Sequence, residues 1–370
     1  MNIVNIGTDK SLVGGKSSGD SIGRHTLYGT ALDHLDIIVY TSRRDKLSTF
    51  AMAPNVTGHP TNSLTKLQFV RDAMRIFERI HRAHTVDLIV CQDPFVPALV
   101  GVKLKQRYGV KLQINFHGDF FDNSYWLREH LKHRFYLRLA EKNIKQADSI
   151  RVVSGAIKEK LIKRGIQPYN IFVIPTPVDL DKFKTEPTQT VAKTVLTVGR
   201  IDASKDLATF ITAAQLVNQR LPETTFKIIG RGPLEKKFRA ATKNLPFIIW
   251  TGYVGHDVLP EQYRQAAVFC LTSTNESFGK VLLEAAMSRV PAVATSTTGA
   301  AEIIENGVSG YLAPIGDAAR IAERLVYLLQ NNSVREQMGQ NAFRMVSTKY
   351  GFQKSIDAMV AMWRQTVGKR

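Results

Sequence analysis

The stretch LDKFKTEPTQTVAK, residues 180–193, decides how this chain is organised. It is polar and proline-bearing, with no apolar run long enough for a strand, and it reads as a linker between domains. On its N-terminal side short apolar runs recur: NIVNIG (2–7), DIIVYT (36–41), DLIVCQ (87–92), LQINFHG (112–118), SIRVVS (149–154) and IFVIPT (171–176). On its C-terminal side the pattern starts afresh with TVLTVG (194–199), FKIIG (226–230), FIIWTG (247–252), VFCLTS (268–273) and VPAVAT (290–295). Longer stretches of helical period separate these runs, which is the signature of βαβ units around a parallel sheet buried on both faces. The expectation is an α/β protein of two doubly wound domains facing each other across a cleft, the first over 1–180 and the second over 181–349. Ligands of such sheets bind at the carboxyl ends of the strands, so the chemistry should lie just after the apolar runs. The last segment, YGFQKSIDAMVAMWRQTV (350–367), reads as an amphipathic helix with Phe352, Ile356, Met359, Val360 and Trp363 on one side. Residues 350–370 are expected to pack back on the first domain.

The chain has 370 residues, of which 44% are hydrophobic, enough for a full core. That excludes a disordered chain and a disulfide-stapled mini-domain. Fifty Lys+Arg against 32 Asp+Glu leave a net charge of +18, spread over both halves rather than held in a tail. Such a surplus points to an anionic partner (nucleic acid, a membrane surface or a phosphorylated substrate) or to nothing beyond a solvated surface. Cys91 and Cys270 each close an apolar run and read as buried thiols in a reducing compartment. MNIVNIG opens directly as a strand, without the basic start and long apolar stretch of a cleaved signal. No apolar run approaches the ~18 residues of a membrane helix. The expectation is a cytoplasmic protein, with any membrane contact peripheral and on the inner face.

The strongest chemical signal is TSTNESFGKVLLEAAMSRVP (272–291), directly after the run VFCL. Glu276 falls in a loop, Gly279 lets backbone pass close to a ligand, and Glu284 lies about a turn into the following helix. A carboxylate has two acceptor oxygens, so each Glu can take both hydroxyls of a vicinal diol. Two such groups, one in a loop and one on a helix, suit an extended ligand with a sugar at either end of a diphosphate. They suit equally two ordinary solvent-facing acids. The second signal is TVLTVGRIDASKDLATFI (194–211), where Arg200 ends a strand and Lys205 stands near a helix start, with Asp202 or Ser204 as N-cap. Two cations there can hold a diphosphate and meet the charge that develops as it leaves, or can be plain surface residues.

Taken together and in this order, these segments resemble the retaining GT-B glycosyltransferases of family four. The resemblance rests on Gly199-Arg200 with Lys205, Gly230-Arg231-Gly232-Pro233, Glu276-Ser-Phe-Gly279 with Glu284-Ala-Ala, and Gly299 with Glu302-Ile-Ile-Glu-Asn-Gly307. It implies two Rossmann-like domains, the second holding a nucleoside-diphosphate sugar donor, and a C-terminal helix returning to the first. It implies that Arg200 and Lys205 bind the diphosphate, and that Glu276 contacts donor sugar hydroxyls with the Phe278 and Gly279 amides. Glu284 would bind the ribose diol, Gly230 and Gly232 would let backbone approach the nucleotide beside Arg231, and the base would rest near Gly252, Tyr253 and Val254. In the first half, Gly14-Gly15 resembles the family's glycine loop, His117-Gly118 its histidine beside the reacting sugar, and Ser154 a structural residue. Two departures stand out: Pro175-Thr176-Pro177-Val178-Asp179 replaces the common Pro-Asn-Gly-Val-Asp, and Gly299-Ala300 replaces a Gly-Gly pair.

No cofactor and no metal are expected: no His/Cys cluster has zinc spacing, and Asp179-Leu-Asp181 follows a proline-rich segment rather than a strand end. The charge has two outlets in the first half. In LTKLQFVRDAMRIFERIHRAH (64–84), Arg71, Arg75, Arg79 and Arg82 fall within an arc of about 80°. The segment YWLREHLKHRFYLRLAEKNIKQAD (125–148) reads as one helix with Trp126, Leu127, Leu131, Phe135 and Leu139 packed inward. Its cations suit an anionic membrane surface. Nucleic acid is not expected, since no aromatic platform accompanies the charge. The leading expectation is a metal-independent hexosyltransferase with a glycan or glycolipid acceptor of the cell envelope. The alternatives are a nucleotide-sugar epimerase of the same architecture and a non-catalytic basic module for lipid or nucleic acid.

Overall fold

The computed structural model describes residues 1–14, 21–66, 68–184 and 193–368. Gly15 and residues 185–192 of the expected linker lie outside the described residues. The chain divides into two compact units, Met1–Pro177 with Gln353–Arg370, and Val178–Phe352.

The first unit holds an eight-stranded sheet of β1 (Asn2–Gly7), β2 (His34–Val39), β3 (Phe50–Ala53), β4 (Val56–Pro60), β5 (Leu88–Cys91), β6 (Lys111–Phe116), β7 (Ser149–Val152) and β8 (Ile171–Val173). Their spatial order is β3-β4-β2-β1-β5-β6-β7-β8, all parallel except the antiparallel β3–β4 pair. The order reverses between β1 and β5, which opens a crevice at their carboxyl ends. The second unit holds β9 (Thr194–Val198), β10 (Thr225–Ile229), β11 (Ile248–Gly252), β12 (Val268–Leu271), β13 (Ala292–Thr295) and β14 (Gly310–Ala313). These run in the order β11-β10-β9-β12-β13-β14, all parallel, with the reversal between β9 and β12. Both sheets are thus Rossmann-like. The central strands β5, β12 and β13 are buried along their whole length, because helices cover both faces.

Residues from Gln353 onward belong to the first unit. The helix Phe352–Gly368 buries Ile356, Met359, Val360, Met362 and Trp363. Trp363 packs edge-on against Tyr28, with ring centroids 5.0 Å apart, and Thr366 Oγ1 lies 2.8 Å from Ser149 Oγ at the start of β7.

The segment 125–148 is not one helix. It splits into Ser124–Glu129 and Lys132–Ile144, because His130 between them is extended (φ −152°, ψ 137°). The break lets Trp126 stack on His133 at 4.2 Å while the His133 ring bonds the Trp126 carbonyl at 2.7 Å. Trp126 also joins Phe95 and Phe120 in an aromatic cluster. The expected inward face is correspondingly rotated: His133, Ala140, Asn143 and Ile144 are buried, whereas Leu131 is 85% and Phe135 64% exposed. No helix among the described residues is long and apolar enough to cross a membrane.

Candidate active site

In the second unit the two sequence motifs flank the strand reversal, one after β9 and one after β12. Gly199 and Arg200 directly follow β9. Asp202 then accepts from Ser204 N at 3.0 Å and from Ser204 Oγ at 2.7 Å, which turns the chain through the short helix Ala203–Lys205. Asp206, left-handed at φ 41°, caps the helix Leu207–Arg220 through Thr209. The loop after β12 is tied onto this turn. Thr272 Oγ1 donates to a Lys205 or Asp206 carbonyl, each at 3.0 Å, and Thr274 N bonds Ser204 O at 2.9 Å.

That lacing brings Lys205 Nζ into a direct ion pair with Glu276 Oε2, the two side chains being 24% and 16% exposed. The other carboxylate oxygen, Oε1, accepts from Gly279 N at 3.2 Å. Gly279 adopts φ 80°, a left-handed conformation that suits glycine and starts the helix Lys280–Met287. The Gly279 amide, expected to serve a donor directly, is therefore engaged by Glu276. The Phe278 ring is buried against Tyr350, at 5.9 Å between centroids. Gly299 supports the loop from behind: its N–H bonds Glu276 O at 2.7 Å, and a Cβ there would lie 2.6 Å from Phe278 N.

Glu284 is no solvent-facing acid. It is 4% exposed and accepts a 2.9 Å hydrogen bond from Tyr263 Oη, itself fully buried. Burial, then the Glu284 charge, holds the Tyr263 phenol well above its usual range, so it stays a donor. Arg200 is largely exposed and leans toward Asp202 at 3.5 Å. Gly230 and Gly232 have a reason of their own to be glycine. A Cβ on Gly230 (φ 141°) would sit 1.8 Å from Gly199 O, and one on Gly232 would sit 2.3 Å from Ile201 O. The close passage of two segments of the protein's own backbone is thus a requirement for glycine beside the expected room for a nucleotide. Arg231 is exposed, with Nε 4.0 Å from where a Cβ on Gly252 would stand. Tyr253 is exposed and Val254 half-buried just beyond β11.

In the first unit, Gly14 ends the short helix Ser11–Gly14 after β1. His117 is exposed immediately after β6, its Nε2 2.9 Å from Gln92 Oε1 and its Nδ1 3.3 Å from Arg151 Nη1. Ser154 caps the helix Gly155–Ile162. Tyr263, Thr272, Gln92 and Arg151 were not found from sequence. Arg151 and Thr272 sit within or beside apolar runs, while Gln92 and Tyr263 meet partners too distant in sequence for any spacing to reveal. Among the described residues no group of three His, Cys, Asp or Glu could hold a metal ion.

Residues 179–345 match the family model described as "Glycosyl transferases group 1", and residues 30–182 the one described as "Glycosyltransferase Family 4". A 2-deoxystreptamine N-acetyl-D-glucosaminyltransferase of Niallia circulans is 33% identical over 162 residues, 43% of this chain and 41% of that protein. The chain thus spans less than half the length of that relative. An uncharacterised glycosyltransferase of Methanocaldococcus jannaschii is 26% identical over 82% of this chain and 83% of its own. The crystal structure of Anabaena HepE in complex with UDP shares the fold over 99% of this chain and 100% of that one, at 18% identity and a TM-score of 0.78. Its two Rossmann-like domains are the GT-B architecture, and the chain belongs to the group 1 glycosyltransferases of family four.

Proposed function

We propose that the protein moves a hexose, with retention and without a metal ion, from a nucleoside diphosphate to a hydroxyl of a cell-envelope glycan or glycolipid. The observation that carries this reading is the Lys205–Glu276–Gly279 set at the strand reversal of the second sheet. Each Glu276 oxygen has one protein partner and a second lone pair, so the carboxylate can still accept from sugar hydroxyls. Lys205 uses one of three donors on Glu276, which leaves two for phosphate oxygens. Arg200 stands exposed at the same strand end, where it can add its charge as the diphosphate departs. Glu284, buried but with acceptor capacity, suits the ribose diol. Gly14, Gly15 and His117 would serve the sugar from the first domain, and Arg231, Tyr253 and Val254 the base. The Niallia relative is named for a sugar transfer, and HepE is solved with UDP; both favour a nucleotide-sugar donor.

The basic helices favour a membrane-bound acceptor. Phe135 is exposed beside Arg138, Lys142 and Lys145, with Glu141 among them, and Leu131 is exposed where this helix starts; each cation near an acidic leaflet contributes about 1 kcal/mol. The working place is then the cytoplasmic face of a membrane.

A thermal-shift screen of UDP-, GDP- and ADP-sugars identifies the donor, and transfer assays follow. Glu276→Gln and Lys205→Ala are each expected to lose at least about 100-fold in turnover, the size typical of lost transition-state electrostatics, with unchanged circular dichroism. Near wild-type turnover in either variant would refute the assignment.

A further inference from the structure

β7 carries a fully buried arginine where its neighbours are apolar. Arg151 is 2% exposed, and among the described residues no carboxylate pairs with it. Its guanidinium instead donates to three acceptors: Nε to Ile174 O at 2.9 Å, Nη2 to Thr176 Oγ1 at 3.3 Å, and Nη1 to His117 Nδ1 at 3.3 Å. Burial lowers its pKa to about 10, which leaves it charged at neutral pH.

A guanidinium has donors only, so His117 Nδ1 is an acceptor and carries no proton. The ring is then neutral, with its proton on Nε2, which donates to Gln92 Oε1 at 2.9 Å. Gln92 Nε2 donates in turn to Asn5 Oδ1 at 2.7 Å, and Asn5 Nδ2 lies 3.2 Å from His25 Nε2. The far end is fixed independently, because His25 Nδ1 meets the Ser21 carbonyl at 2.7 Å and must donate to it. His25 Nε2 is therefore an acceptor, and burial lowers its pKa to about 4, so it stays neutral. Both ends impose the same direction: donors run from Arg151 through His117, Gln92, Asn5 and His25 to the Ser21 carbonyl. Asn115 adds a weaker bond to Gln92 Oε1 at 3.4 Å.

We infer that Arg151 is a positioning residue for His117: through this one-way chain it holds the imidazole as the neutral Nε2–H tautomer in a fixed ring orientation. His117 is then a group of fixed protonation and orientation rather than one that exchanges protons during turnover. The departure at Thr176 belongs to the same device, since its hydroxyl is one of the three acceptors that anchor Arg151. The cavity these groups line holds about 20 Å³, too little to admit a sugar among them.

Among the described residues the other titratable groups around this cavity are Arg24, His25 and Tyr28, all on the helix Ser21–Gly29, and the C-terminal helix contributes Met359 and Trp363. Neither nearby acid displaces the arginine. Asp119, two residues beyond His117, is held by Lys160 at 2.7 and 2.9 Å, and Asp93, beyond Gln92, accepts from Phe95 N at 2.9 Å.

The test is imidazole ¹⁵N NMR on the full chain labelled at histidine, with His117 assigned by its loss in His117→Gln. The wild type should show an unprotonated Nδ1 and a protonated Nε2 that do not titrate between about pH 5.5 and 8. Arg151→Met should let His117 titrate near its ordinary value of about 6.5. Arg151→Lys should restore the wild-type pattern at least in part. An Nδ1–H tautomer or a titrating His117 in the wild type would overturn the proposal, as would an unchanged pattern in Arg151→Met. If Arg151→Met does not fold, the wild-type spectrum still decides. The catalytic consequence rests on the transferase reading: Arg151→Met should gain an acidic limb near pH 6.5 in its rate profile. The spectrum does not depend on turnover, so it stands even if no transfer is found.

Discussion

Glu284 and Tyr263 are both buried and hydrogen-bonded to each other, with Val281 O a second, longer acceptor for the phenol at 3.3 Å. The carboxylate needs a donor inside the protein, and the phenol beside it is kept protonated by burial and by that same charge. Tyr263→Phe removes the donor and keeps the ring. It is expected to cost about 1–3 kcal/mol in urea unfolding, the penalty of an under-satisfied buried polar group. On the proposed ribose role of Glu284, it should also weaken binding of the nucleotide sugar, because the carboxylate loses the donor that holds it in place. Unchanged stability and affinity would show that the Tyr263 bond contributes neither. Glu276 and Lys205 were legible because each falls in a motif right after an apolar run. Tyr263 was not, since a tyrosine 21 residues before its acid carries no spacing signal. The glycines at 230 and 232 were legible as positions, and the passage of Gly199 and Ile201 beside them is a packing reason that no sequence pattern records.

At the scale of elements, long apolar runs with β-branched residues gave themselves away, and all eleven expected strands are present. The strands not foreseen are β3, β4 and β14. β4 reads VTGHP, so glycine, histidine and proline interrupt its pattern, and its partner β3 is the exposed edge of the sheet. The helix break at His130 was equally hidden, because the periodicity of 125–148 runs through it without a glycine or proline. The reward for the break is the stacking of Trp126 on His133, a tertiary contact that local pattern does not record. One consequence is measurable. With Leu131 and Phe135 facing outward among lysines and arginines, the double variant Leu131→Ser/Phe135→Ser should bind anionic phospholipid vesicles several-fold more weakly than the wild type. Its fold and its affinity for nucleotide sugar should be unchanged. Equal binding by both proteins, or binding indifferent to salt and anionic lipid, would remove this face as a membrane contact.

For the whole molecule, the net charge of +18 has several distinct uses rather than one. Lys205 is committed to Glu276, and Arg151 is buried as an orienting post. Arg71, Arg75, Arg79 and Arg82 line the outer side of the helix Phe69–Ala83, where Asp72 and Glu78 partly offset Arg75 and Arg82. In each unit candidate groups stand near a strand reversal: Gln92 follows β5 at that of the first sheet, and Lys205 and Glu276 follow β9 and β12 on either side of that of the second. The most direct test is time-resolved ¹H NMR of the protein with the nucleotide sugar that stabilises it most and a hydroxyl acceptor. The expected result is release of nucleoside diphosphate together with a glycoside whose anomeric coupling matches that of the donor, and no reaction with Glu276→Gln. An inverted glycoside, an epimerised sugar nucleotide formed without acceptor, or no turnover of any nucleotide sugar would contradict it.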